Sequence, residues 1–69
     1  MNIQYDKQAD ALYIYLNKGR IKKTAKAGKN TLIDFGVGDK VIGVEFYNIS
    51  RSVSKKDLRS VSVELPVNV

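Results

Sequence analysis

A chain of 69 residues carrying 12 Lys and Arg, 7 Asp and Glu, no cysteine and no histidine excludes several classes at once. No disulfide can staple it, the commonest ligand of a structural zinc is missing, and residues 1–69 make one domain at most. Folding at this size hides only about 60% of the surface the unfolded chain exposes, so a homo-oligomer that shares core between copies is expected.

The net charge of +5 favours anionic partners, nucleic acid or an acidic protein, beside its ordinary effect on solubility. No apolar run approaches the length of a bilayer span, and no membrane association is expected. No basic segment followed by an apolar stretch opens the sequence, so no secretory leader is expected. The lack of cysteine fits a reducing, cytoplasmic setting.

Residues 2–5 alternate, with Ile3 and Tyr5 on one face, and predict a short first strand. Residues 6–10 make a polar turn in which Asp6 accepts from backbone N–H groups two residues on, and Asp10 caps the next element. Residues 11–16 predict a second strand, with Leu12, Ile14 and Leu16 on one face and Ala11, Tyr13 and Tyr15 on the other. Asn17-Lys18-Gly19-Arg20 reads as a hairpin loop with Gly19 free to take positive φ. That hairpin sets Leu16 opposite Ile21, Ile14 opposite Lys23 and Leu12 opposite Ala25. On the other face it sets Tyr15 opposite Lys22 and Tyr13 opposite Thr24. Lys23 then points to the aliphatic face and must snorkel at an edge or sit by a bulge.

A turn over 27–30 leads to a fourth strand over 31–36, and Val37-Gly38-Asp39-Lys40 closes a hairpin onto a fifth strand over 41–47. A four-residue loop there sets Phe35 opposite Ile42, Ile33 opposite Val44, Asp34 opposite Gly43 and Leu32 opposite Glu45, which brings the apolar sets onto one face. Residues 48–54 are polar and irregular. Ser54-Lys55-Lys56-Asp57 resembles a capping box, and a short helix over 55–60 docks Leu58. Residues 61–65 alternate again as a last strand, ended by Pro66.

The segment Tyr5-Asp6-Lys7-Gln8-Ala9-Asp10-Ala11-Leu12-Tyr13-Ile14 resembles the opening motif of the domain of unknown function 2283 family, small uncharacterised prokaryotic proteins. That motif runs Tyr-Asp, two variable residues, then Ala-Asp-Ala-Leu-Tyr-Ile. Leu32-Ile33-Asp34-Phe35 and Val41-Ile42-Gly43-Val44-Glu45-Phe46 resemble its second hallmark, an apolar-Asp-apolar strand, a hairpin and Gly-Ile-Glu-Ile. The resemblance covers about residues 3–50. It implies a compact β-rich domain with no established activity. Family members lie beside small toxin-like genes, which implies an antitoxin-like role and a toxin-like protein as partner.

Two constellations carry chemistry. Asp34 and Glu45 share a face of the third hairpin and are the candidates for a hard cation held through oxygen, or for a paired acid and base. The ordinary reading, turn and cap roles for Asp6 and Asp10 and cross-strand lysine pairs for Asp34 and Glu45, is favoured. Tyr13 and Tyr15 form the second, sharing a face with Arg20, Lys22 and Lys26 on the strand expected beside them. Tyrosines stack on bases while cations meet phosphates, although a solvated sheet face with tyrosine at β-favoured positions is the simpler reading. Gly36-x-Gly38 lacks the rest of a dinucleotide loop. The serines of 50–62 have no histidine to activate them, and no cofactor motif is present.

The expected fold is α+β and mostly β: a meandering antiparallel sheet of five to six strands with one short C-terminal helix. Its expected core is Ile3, Leu12, Ile14, Leu16, Ile21, Ile33, Phe35, Ile42, Val44, Phe46 and Leu58. The expected function is non-enzymatic, a protein-interaction module of antitoxin-like kind. The alternatives are nucleic-acid binding through the Tyr/Lys face and a metal-dependent activity at Asp34 and Glu45.

Overall fold

Alternation of apolar residues gives strands when the polar punctuation falls between them, and here it does so five times. The computed structural model describes residues 1–59. The strands are β1 (Asn2–Asp6), β2 (Ala11–Tyr15), β3 (Lys23–Gly28), β4 (Thr31–Phe35) and β5 (Val41–Tyr47), followed by one short helix, α1 (Lys55–Arg59). They form a single open antiparallel sheet. The expected mostly-β class with one short helix near the C-terminus therefore holds. The strand expected over 61–65 lies outside the described residues.

The spatial order is β1-β2-β5-β4-β3, which corrects one expected hairpin. β2 and β3 are not neighbours: β2 pairs with β1 on one side and β5 on the other. The physical reason lies in the side chains. β5 sets Phe46 opposite Leu12 and Val44 opposite Ile14, an apolar match on both rungs. The expected pairing would have set the Lys23 ammonium beside Ile14. Residues 16–22 instead cross the end of the sheet. The backbone N–H groups of Leu16 and Asn17 donate to the Ile42 carbonyl at 2.8 and 3.1 Å, and Lys22 N–H donates to the Phe35 carbonyl at 2.7 Å. Asn17 Nδ2 adds a bond of 2.8 Å to the Val41 carbonyl. Gly19 takes φ 141°, as its place in a sharp loop requires, with the Ile42 side chain directly beneath it.

The β4–β5 register is as expected for Leu32 with Glu45, Ile33 with Val44 and Asp34 with Gly43. A bulge after Asp34 then sets Phe35 opposite Val41 in place of Ile42. Lys23 does lie at an edge, in β3. Its Nζ sits 5.3 Å from the Phe35 ring centre and 3.1 Å from Asp39 Oδ1.

One sheet face carries Ile3, Tyr5, Leu12, Ile14, Val44, Phe46, Ile33 and Phe35, all half-buried. Ala11, Ile42, Ile49 and Leu58 are the buried apolar residues among those described. Leu16 and Ile21, expected in the core, are 42% and 47% exposed. Both belong to the crossing segment, so neither has a paired strand to fold its side chain inward. Helix α1 starts as expected: the Asp57 N–H donates to Ser54 Oγ at 3.2 Å, and Leu58 N–H to the Ser54 carbonyl at 3.0 Å. No helix among the described residues is long and apolar enough to cross a membrane.

Candidate functional site

The polar face of the sheet is built in cross-strand rows. Pairing places Tyr15, Gly43, Asp34 and Thr24 in one row across β2, β5, β4 and β3. The next row holds Tyr13, Glu45, Leu32 and Lys26, and Tyr47 stands opposite Ala11 in a third. The rows bring Asp34 and Glu45 together, as their shared hairpin face predicts, and set both tyrosines beside them.

Asp34 is only 4% exposed. A carboxylate this deep needs a partner, and Thr24 Oγ1 donates to Asp34 Oδ1 at 2.7 Å. Burial of the Glu45 carboxyl, reinforced by Asp34 within hydrogen-bonding reach, raises the Glu45 pKa above the ordinary glutamate value. The Tyr47 hydroxyl donates to Glu45 Oε1 at 2.8 Å. The neighbouring Tyr13 hydroxyl and this carboxylate together push the Tyr47 pKa well above its ordinary value. The Tyr13 ring meets Tyr47 edge-on, 6.3 Å between centres at 85°, and stacks on Tyr15 at 6.1 Å. The result is a continuous chain of hydroxyls, carboxyls and rings from β3 to β2. Among the described residues no third His, Cys, Asp or Glu joins Asp34 and Glu45 as a metal ligand set.

The basic residues expected beside Tyr13 and Tyr15 are elsewhere. Arg20 and Lys22 lie in the crossing segment. Lys26 shares the polar face, but β5 and β4 separate its strand from β2, roughly 14 Å at ordinary strand spacing. The tyrosines face two carboxyls, and the cations gather on the far edge. There β3 is exposed along its whole length and, among the described residues, pairs on one side only, with β4. Lys22, Lys23, Lys26 and Lys29 fall on or next to this strand, Lys23 paired with Asp39, and residues 11–33 contain no acidic side chain.

The family model for proteins of unknown function DUF2283 matches residues 2–50. The chain belongs to the DUF2283 family. No curated protein and no solved structure matches it. The match takes in all five strands, and with them both the tyrosine–carboxyl chain and the basic edge of this DUF2283 domain.

Asp6 and Asp10 shape the first turn. Asp6 Oδ1 accepts from Gln8 and Ala9 N–H at 3.0 and 3.1 Å, the turn its position predicts. Asp10 does more than cap a strand. It takes φ 51°, and its carboxylate accepts from Tyr5 Oη at 3.1 Å, Ser50 N–H at 3.1 Å and Ser50 Oγ at 2.6 Å. The Ser50 hydroxyl is the main cause of a lowered Asp10 pKa. Ser50, Thr24 and Tyr47 are the partners that sequence reading missed. Tyr47 was within reach, since it stands two residues after Glu45 on the same strand and so on the same face. Ser50 lies in a single 3₁₀ turn, Ile49–Arg51, that no sequence periodicity places.

Proposed function

We propose that this DUF2283 domain is a protein-interaction module that offers β3 to an acidic, extended segment of a partner by strand addition. The observation that carries the reading is the edge itself: a six-residue strand exposed throughout, flanked and studded by Lys22, Lys23, Lys26 and Lys29, with no acid between residues 11 and 33. Added strands gain main-chain hydrogen bonds from such an edge, and side chains supply selectivity. Lysines on an edge also discourage pairing with a second copy, because like charges would meet across the new ladder. An acidic strand meets no such repulsion.

The edge favours protein over nucleic acid. Base stacking needs aromatics among the cations, and here Tyr13 and Tyr15 lie beside Asp34 and Glu45 instead. An antitoxin-like role fits this edge when the toxin-like partner presents an acidic strand; a basic partner would be repelled.

The test is fluorescence anisotropy with a labelled acidic peptide of strand-forming sequence. Binding is expected to weaken steeply with salt. It should fall at least roughly tenfold in the Lys22→Glu/Lys29→Glu variant, which reverses charge at both ends of β3. Equal affinity of variant and wild type, or tighter binding of single-stranded RNA than of the peptide, would defeat the proposal.

A further inference from the structure

The sheet has a second open edge. Among the described residues β1 pairs only with β2. The Leu16 N–H bond to the Ile42 carbonyl fixes which way its backbone faces. Antiparallel ladders alternate, so the even-numbered residues of β2 bond toward β5 and its odd-numbered residues bond toward β1. Asn2, Gln4 and Asp6 stand opposite Tyr15, Tyr13 and Ala11 and therefore turn their N–H and C=O groups to β2. Ile3 and Tyr5 turn theirs outward, an open template for another strand. The two edges also differ in charge. Lysines guard β3 against a second copy, whereas β1 reads Asn-Ile-Gln-Tyr-Asp and carries no cation.

We propose that β1 pairs antiparallel with β1 of a second copy of the chain, about a two-fold axis through Gln4. The strand is self-complementary in this register. Ile3 faces Tyr5 of the second copy on the apolar side, and each such pair exchanges the outward N–H and C=O groups. On the other side Gln4 meets its own copy and Asp6 meets Asn2, so no like charges stand opposite. A slip of one residue would set the apolar face of one chain beside the polar face of the other, and a slip of two would shorten the paired length. The same register carries Met1 opposite Lys7. Met1 is 66% exposed and continues the alternation of Ile3 and Tyr5, which puts it on their face. At that place lies a recess of about 290 Å³, lined among the described residues by Tyr5, Lys7, Leu58 and Arg59. Met1 of the second copy is its occupant, an unbranched apolar side chain that adapts to an irregular gap. The assembly closes at two chains and leaves a β3 at each outer end. Both chains carry +5, so added salt strengthens this pairing.

Sedimentation equilibrium of the full chain over a concentration series tests this, with Gln4→Lys and Gln4→Glu as variants at an exposed position. Wild type should pass from monomer to dimer as concentration rises, and do so at lower concentration in added salt. Each variant alone sets like charges face to face at the axis and should weaken the dimer roughly fivefold or more. An equimolar mixture of the two should recover at least that loss, because Lys then faces Glu, and only a residue that meets its own copy behaves so. Isotope-filtered NOE spectra of mixed labelled and unlabelled wild type should connect the Met1 methyl to the Tyr5 ring of the other chain. Circular dichroism checks that each variant keeps the sheet. A monomeric mass throughout the series overturns the proposal, as does a dimer equally stable in both variants or a species larger than two chains. A mixture no tighter than its components overturns the axis at Gln4. A dimer without the Met1–Tyr5 contact overturns the assignment of the recess. None of these outcomes bears on peptide binding at β3, which is measured separately.

Discussion

Glu45 and Asp10 are displaced from their ordinary titration in opposite directions, and each displacement fixes the sign of a pH effect. Burial and the Asp34 carboxyl raise Glu45, so the folded chain holds that proton more tightly than the unfolded chain. Its contribution to stability is complete below the ordinary glutamate value and declines as pH rises through the higher folded value. Glu45→Gln keeps an acceptor for Tyr47 and a donor toward Asp34 but carries no charge. Thermal melts of this variant should lack the decline, and at neutral pH it should exceed wild type by about 0.5–1 kcal/mol, the scale of a partly exposed charge interaction. Asp10 works the other way. Its hydrogen bonds from Ser50 lower its pKa, so its contribution is present above the ordinary aspartate value and is lost as pH falls through the lower folded one. Ser50→Ala should return the Asp10 titration, followed by carboxyl NMR, toward the ordinary value. The same variant should speed amide exchange at Ile49 and Ser50, whose N–H groups donate to Asp10. An unmoved Asp10 titration would mean that Ser50 is not its anchor.

At the scale of elements, the seam between β2 and β5 decides whether the sheet holds. The hairpin β1–β2 and the meander β3–β4–β5 meet along it. Gly43 sits on this seam opposite Tyr15, and a Cβ there would lie 2.7 Å from the Ile14 carbonyl oxygen. Backbone has no rotamer through which to yield, so the two strands must separate. Gly43→Ala should cost about 1–3 kcal/mol by denaturant titration, in the range of an overpacked interior. A cost below about 0.5 kcal/mol, the level of an unremarkable surface change, would show that the seam adjusts freely. The same elements show what the sequence made legible. The β4–β5 hairpin was readable because its four-residue loop and two apolar strands admit only one register that keeps Ile33 and Val44 on the same face. The neighbour of β2 was not readable from local pattern. A short Gly-containing loop after Leu16 permits a hairpin, and only the competing match of Leu12 and Ile14 with Phe46 and Val44, some thirty residues away in sequence, excludes it. Leu16, Ile21 and the basic tyrosine face were all misplaced by that single pairing, whereas Asp34 and Glu45 were correctly joined because they depend on the hairpin that was legible.

For the whole molecule, charge works against the fold, and under the proposed reading it serves the edge. Six of the 12 cations fall within residues 18–29, and Lys22 and Lys29 pair with no described carboxylate. Mutual repulsion there is screened once the Debye length shortens to about 8 Å at physiological ionic strength, so the melting temperature of wild type should rise with added salt. Lys22→Glu/Lys29→Glu lowers the net charge from +5 to +1, four units for two reversals. That variant should melt higher than wild type at low salt and show a flatter salt dependence. If β3 is the partner's edge, the same pair of substitutions strengthens the folded state and weakens peptide binding. A feature that serves only folding would move both quantities in one direction. Opposite signs are expected where a surface is kept for a partner at some cost to stability. Melting and anisotropy measured on one preparation, across one salt series, decide between the two: a variant that loses stability together with binding would place these lysines in the fold's own support and remove the edge from the binding surface.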